Sequence, residues 1–234
     1  MVKHIGIIAV SSEGAALCYR TIFREAFAVM GKFVHPEVSL HTHSLNHYMN
    51  CIEDNDWDGV ASLMVSSAKK LSAAGADFAI CPDNTVHRAF EKVQSRSPIP
   101  LISITETVAS ECKSKGYKKV GVLGTKYTMQ GPTYRNALSK LEIDAIVPDK
   151  EDQEKINSII FDKLVPGKIA GFPSKDIIKI IQKLKKSGCD AVILGCTEIP
   201  LVVNATNSPL PVIDSTRLLA KKALEHSLGP ALKS

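Results

Sequence analysis

The chain lacks any apolar run near the roughly 18 to 20 residues that span a bilayer, and Met1 leads straight into a short strand-like run with no signal-peptide pattern. No membrane partner is expected, and the cytoplasm is the expected location. It also lacks any C-x-x-C pair. The six cysteines, Cys18, Cys51, Cys81, Cys112, Cys189 and Cys196, form no regular framework; in a reducing compartment they are free thiols, and a functional one must be identified by its position. Clustered Arg and Lys with interleaved aromatics are missing as well. The net charge of +5 comes from scattered lysines such as Lys179, Lys183, Lys185 and Lys186, a solvated face rather than a nucleic-acid footprint. No linker or low-complexity stretch interrupts the chain.

What is present is ordinary globular composition, 234 residues with 44% hydrophobic and 23% charged, enough for one large domain or two smaller ones without metals or disulfides. An internal repeat organises it. Ile5-Gly6-Ile7-Ile8 matches Val120-Gly121-Val122-Leu123, 115 residues later; the segment from Gly75 to Thr85 matches that from Gly188 to Glu198 at a separation of 113; and the segment from Pro100 to Thr105 matches that from Pro211 to Thr216 at 111. Short Val- and Ile-rich runs of continuous hydrophobicity mark strands covered on both faces. Helical patterns alternate with them over Ala15 to Met30, Trp57 to Ala73, Thr105 to Lys115, Glu151 to Lys163, Lys175 to Lys186 and Thr216 to Glu225. Gly75, Gly116 and Gly188 supply helix stops. This order predicts an α/β protein of two pseudo-symmetric flavodoxin-like or Rossmann-like lobes, each with a parallel sheet flanked by helices. The first lobe is expected over residues 1–104, completed by 214–234, and the second over 105–213.

In open parallel sheets, ligands bind beyond the carboxyl ends of the strands. The repeat places Asp83 and Cys196 at that position in equivalent registers, so that each lobe contributes one reactive group to a shared cleft. A thiol near a helix N-terminus is acidified and can take or give a proton, and the polar sequel Thr197-Glu198 favours this over mere space-filling. For Asp83, capping of the following turn and acid–base chemistry are equally open. Asn84, Thr85 and Thr197 are hydrogen-bond partners for a substrate carboxylate, with turn stabilisation as their simpler role.

The residues Val192-Ile-Leu-Gly-Cys196-Thr-Glu-Ile-Pro200, Asn84-Thr85-Val86-His87 and Pro211-Val-Ile-Asp-Ser-Thr216 together resemble the aspartate/glutamate racemase family, part of a wider group with hydantoin racemases, maleate isomerases and arylmalonate decarboxylases. The resemblance extends over essentially the whole chain. It implies a dimer, no cofactor, no metal, and two cysteines that flank the α-carbon of a small carboxylate or amino acid. The second of these falls on Cys196, beside Thr197 and Glu198, both expected to contact the substrate. At the place of the first stands Asp83; Cys81 lies two residues earlier and is not its substitute. The Gly-Gly-Met-Gly-Pro-like loop of racemases is also replaced, by Ala9-Val10-Ser11-Ser12-Glu13-Gly14. Ser11 is a remaining donor there, although loop caps are the commoner use of such serines. The segment around Ser44, with His43 and Tyr48, and the segment Phe161 to Lys168 resemble substrate-side elements. Arg20, Lys163 and Lys168 are candidate cations for a carboxylate, each with an equally good reading as solvated surface. His35, His41, His43 and His47 lie close in sequence, yet the resemblance is to metal-free enzymes and no metal is expected.

The resulting expectation is a cofactor-independent amino-acid racemase or isomerase moving a proton at the α-carbon, with Cys196 on one side and Asp83 opposite. The alternatives are a lyase or decarboxylase using Cys196 alone, or a non-catalytic module that binds a small carboxylate.

Overall fold

The computed structural model describes residues 1–167 and 174–229. Eight strands and ten α-helices alternate along these residues. The first sheet contains β1 (Ile5–Ala9), β2 (Val38–Thr42), β3 (Phe78–Ile80) and β4 (Leu101–Ile102); the second contains β5 (Lys119–Gly124), β6 (Asp144–Ile146), β7 (Ala191–Gly195) and β8 (Val212–Asp214). All pairings are parallel. The strand orders, β2-β1-β3-β4 and β6-β5-β7-β8, are the same, the doubly wound order that the repeat predicts. β1 and β7 are buried at every residue, because helices cover both faces of each sheet.

The helices are α1 (Ser12–Met30), α2 (Leu45–Glu53), α3 (Trp57–Ala73), α4 (Phe90–Gln94), α5 (Ile104–Ser114), α6 (Lys126–Gln130), α7 (Thr133–Ser139), α8 (Lys150–Ile159), α9 (Lys175–Lys186) and α10 (Ser215–Leu228). One turn of π-helix, Ile160–Leu164, extends α8. The chain divides into two compact units, Met1–Ile104 with the segment from Thr216 onward, and Thr105–Ser215. Each has its own core. In the first, Ile5, Ile7, Ile22, Phe78 and Ile80 pack with Leu219, Ala220 and Ala223 of α10. In the second, Leu123, Val192 and Leu194 pack with Ile177, Ile180, Ile181 and Leu184 of α9. Full burial of one such side chain contributes about 1.5–3 kcal/mol.

The duplication extends to individual hydrogen bonds. α3 ends with Gly75 N–H on Ser72 O and Ala76 N–H on Leu71 O, while α9 ends with Gly188 N–H on Lys185 O and Cys189 N–H on Leu184 O. Both are Schellman caps, and the glycines at φ +91° and +83° supply the left-handed residue that such caps need. Two residues on, Asp77 accepts from the His4 backbone N–H at 2.7 Å, and its equivalent Asp190 accepts from those of Lys118 and Lys119 at 2.7 and 2.9 Å. Each aspartate thereby ties the foot of its strand to the central strand of its sheet. Pro100 O and Pro211 O then accept from Ala79 N–H and Val192 N–H at 2.8 and 2.9 Å, which fixes β4 and β8 in matching registers.

Candidate active site

In the first unit, β3 ends at Ile80 and the chain turns through Cys81, Pro82 and Asp83 into a 3-10 turn over Val86–Ala89. Asp83 Oδ1 accepts from the Val86 backbone N–H at 3.1 Å, so the carboxylate does cap this turn. His87 secures it from below. Its Nδ1 lies 2.6 Å from Asp83 O and its Nε2 accepts from the Ile104 N–H at 3.2 Å. A carbonyl on one nitrogen and an amide on the other require the neutral tautomer protonated at Nδ1. Burial agrees, since desolvation pulls His87 down to about 4 against the weaker opposing pull of the Asp83 carbonyl. Phe90 stacks on the ring. Cys81 is sealed beneath the turn; burial first, and the nearby Asp83 carboxylate second, push its thiol well above the ordinary range.

In the second unit, β7 ends at Gly195 and Cys196 follows at once. A Cβ on Gly195 would stand 3.0 Å from Leu123 O, 3.2 Å from Tyr134 Cε2 and 3.3 Å from Thr128 Cγ2. Backbone on one side and a buried ring on the other leave room only for glycine, which explains the residue before the cysteine. Cys196 Sγ–H donates to Glu198 Oε2 at 2.9 Å, and Thr197 Oγ1–H donates to the same oxygen at 2.7 Å. All three residues are buried, Cys196 with 8% of its surface exposed. A thiol and a hydroxyl thus converge on one carboxylate oxygen, just ahead of the short 3-10 turn Ile199–Leu201. This turn is the equivalent of Val86–Ala89.

The other expected residues are more dispersed. Ser11 is the N-cap of α1, accepting from Gly14 N–H at 3.2 Å. Ser44 is the N-cap of α2, exposed and without a side-chain cap bond. Both follow strands of the first sheet on its carboxyl end, the end that also carries Asp83. Asn84 is buried and Thr85 half-buried in the Asp83 turn. Arg20 and Lys163 are exposed, and Lys168 lies outside the described residues. His41 is bonded to Ser67 Oγ through Nδ1 at 3.0 Å and meets Lys70 Nζ through Nε2 at 3.0 Å, with the His43 ring edge-on at 4.8 Å. Among the described residues, no group of three His, Cys, Asp or Glu is placed to hold a metal.

A support network that sequence reasoning misses surrounds the Cys196 turn. Ser215 Oγ donates to Leu194 O at 2.8 Å and pairs with the phenol of Tyr134, which burial keeps protonated. Thr125 caps α6 and its hydroxyl meets that of Thr128 at 3.3 Å. Thr125 was findable: it holds in the second half the strand-end place of Val10 in the first, if the 115-residue offset is carried two steps past Leu123. Ser215 lies in the repeated segment from Pro211 to Thr216, whereas Tyr134 has no such signal.

Two parallel sheets of identical order, each with a strand that ends on a polar turn, define a duplicated α/β protein of the flavodoxin-like class. The chain belongs to the Asp/Glu/hydantoin racemase family, whose model matches residues 5–223. Among solved structures it is similar to an aspartate racemase homologue from Pyrococcus horikoshii, at 30% identity and a TM-score of 0.84 over 98% of this chain and 100% of that one. Among curated proteins it is 28% identical to a broad-specificity amino-acid racemase of Bacillus subtilis, over 74% of this chain and 75% of that protein. It is 29% identical to a glutamate racemase of Aquifex aeolicus, over 66% of this chain and 60% of that protein.

Among the described residues, no helix is long and apolar enough to cross a membrane.

Proposed function

We propose that the protein is a cofactor-independent amino-acid racemase in which Cys196 and Asp83 exchange protons with opposite faces of the substrate α-carbon. Family membership supports amino-acid racemase activity. The observation that carries the assignment of Cys196 is its 2.9 Å contact with the Glu198 carboxylate. A thiol must lose its proton to act as a base, and Glu198 is positioned to receive it. The thiolate then removes the α-proton and electrons move into the substrate carboxylate. A protonated Asp83 returns a proton to the other face, leaving a Cys196 thiol, a protonated Glu198 and an Asp83 carboxylate. The reverse reaction begins from that state. Ser11, Ser44, Asn84, Thr85, Thr197 and Lys168 are proposed to hold the substrate's polar groups. All six cysteines are free thiols, in keeping with a cytoplasmic location, and the active species is proposed to be a homodimer.

The test is turnover of the D and L forms of aspartate, glutamate, alanine and serine in heavy water. The expected product is the opposite antipode carrying solvent deuterium at the α-carbon. Cys196→Ser is expected to lower turnover ~10²- to 10⁴-fold with little change in binding, and Glu198→Gln about 10- to 100-fold. A new compound in place of the antipode would identify a lyase or decarboxylase. Binding without exchange in the wild type would leave only a carboxylate-binding module.

A further inference from the structure

A cleft of about 400 Å³ opens on the solvent side of α3, lined by Ser62, Val65, Ser66, Lys69 and Lys70 of that helix and by Arg96, just past α4. Helical spacing gathers them, since Ser62, Ser66 and Lys70 are four residues apart, as are Val65 and Lys69. Among the described residues that line the cleft, three are cations and none is a carboxylate. Surface lysines commonly offset acidic neighbours, but among the described residues neither Lys69 nor Lys70 pairs with a carboxylate. Lys70 is held by neutral groups instead. Its Nζ donates to His41 Nε2 at 3.0 Å, so Nδ1 of that ring carries the proton and donates to Ser67 Oγ at 3.0 Å, and Ser67 Oγ donates to Leu63 O at 3.3 Å. This relay fixes the ammonium without cancelling its charge, and two of its three N–H donors remain. After burial, the Lys70 charge is the next cause that lowers His41 and His43. Arg96 is oriented as well. Asp58 accepts from Lys92 at 2.6 Å through one oxygen and from Arg96 Nη2 at 3.0 Å through the other, which leaves further guanidinium donors for a ligand. Half-buried Ser66 adds a hydroxyl with no partner among the described residues.

We propose that this cleft binds the phosphate group of a small phosphorylated molecule, held by Lys69, Lys70, Arg96 and the Ser66 hydroxyl. A phosphomonoester presents three acceptor oxygens and close to two negative charges to this set, whereas a carboxylate presents two oxygens and one charge. The cleft is far larger than a phosphate ion and falls within the range of small-molecule pockets, about 300–1,000 Å³. Room therefore remains for an organic part against Ser62 and Val65. The site lies wholly within the first unit and is independent of the racemase reading.

The test uses the full chain at fixed ionic strength, with ribose 5-phosphate and inorganic phosphate as probes and chloride as the reference, followed by calorimetry and by NMR titration of the histidines. Ribose 5-phosphate is expected to bind with a Kd of about 1 mM or below, more tightly than inorganic phosphate. A bound anion offsets the Lys70 charge, so the His41 midpoint should rise by about 0.3–1 pH unit. His226, which meets Lys3 Nζ at 3.2 Å outside the cleft and is lowered by burial and by Lys3 and Lys222, should not move. Ser66→Ala changes no charge and should weaken binding about three- to tenfold. Lys69→Gln combined with Arg96→Gln should weaken it about 30-fold or more, whereas Lys185→Gln combined with Lys186→Gln, the same charge change on α9, should leave it unaltered. Equal rises at His41 and His226, or equal losses in the two double variants, would mean diffuse attraction to a basic surface and would overturn the proposal. So would the absence of binding heat with ribose 5-phosphate, or inorganic phosphate binding as tightly as the ester. The histidine readout needs no variant, so it decides the matter even if a substitution disturbs the fold.

Discussion

His87 is held neutral at the centre of the Asp83 turn, and this gives the residue a defined effect on stability. Its folded value of about 4 lies below the ordinary 6.5. As pH falls through that window, the unfolded chain takes up a proton that the folded chain refuses, so stability decreases from pH 6.5 towards pH 4 by up to about 3 kcal/mol. Urea titrations across this range should show a shallower pH dependence in His87→Gln than in wild type. The same slope in both proteins would mean that the histidine is solvated. His41, His43 and His226 are also lowered by burial and have the same sign, but they are present in both proteins and cancel. Asp83 is affected through His87, since a charged ring would have to give up the bond it accepts from the Ile104 N–H.

At the scale of elements, the helix ends preceding β3 and β7 are the best-defined feature of the duplication. A Cβ on Gly75 would meet only His4 Nδ1 at 3.5 Å, and one on Gly188 only Lys119 Nζ at 3.9 Å, both ordinary contacts. Space is therefore not limiting, and the cost of alanine is that of its positive φ. Gly75→Ala and Gly188→Ala should each destabilise the chain by about 1–2 kcal/mol, to similar extents, in chemical denaturation. A cost at one site several times that at the other would mean that the two caps are not equivalent. The limits of α3 and α9 were legible to the residue because strong periodicity ends on these glycines. The last turn of the segment predicted from Glu151 to Lys163 instead widens into a π-turn. The short helices α2, α6 and α7 and the edge strand β6 were not legible, since three to nine residues hold too little period to register and tertiary contacts decide them. The site was readable in part for the same reason. The strand-end places of Asp83 and Cys196 follow from the repeat, whereas the convergence of Thr197 and Cys196 on Glu198 depends on how the turn packs.

At the scale of the whole molecule, the first unit carries a feature for which the duplication has no use. Tyr19, Phe23 and Phe27 fall at i, i+4 and i+8 on α1, the Tyr19 and Phe23 rings are 4.5 Å apart, and Phe23 meets the His35 ring at 4.3 Å. Phe27 is 55% exposed and Phe33, in the connection to β2, 81% exposed. Val34, and Leu40 on the edge strand β2, are also exposed. Scattered apolar residues on a surface need no explanation, but several exposed aromatic side chains on α1 and the following connection, in a unit that also has an exposed edge strand, are a self-association hazard unless they are covered. A second copy of the chain is the occupant we propose, because a two-fold interface lets one such aromatic surface cover another like it. Light scattering should then give twice the chain mass of 25.3 kDa at micromolar concentrations. Phe27→Lys combined with Phe33→Lys should halve that mass while leaving the helical circular-dichroism signal intact. If wild type has the mass of a single chain, or if the double variant remains dimeric, the aromatic surface is not the interface.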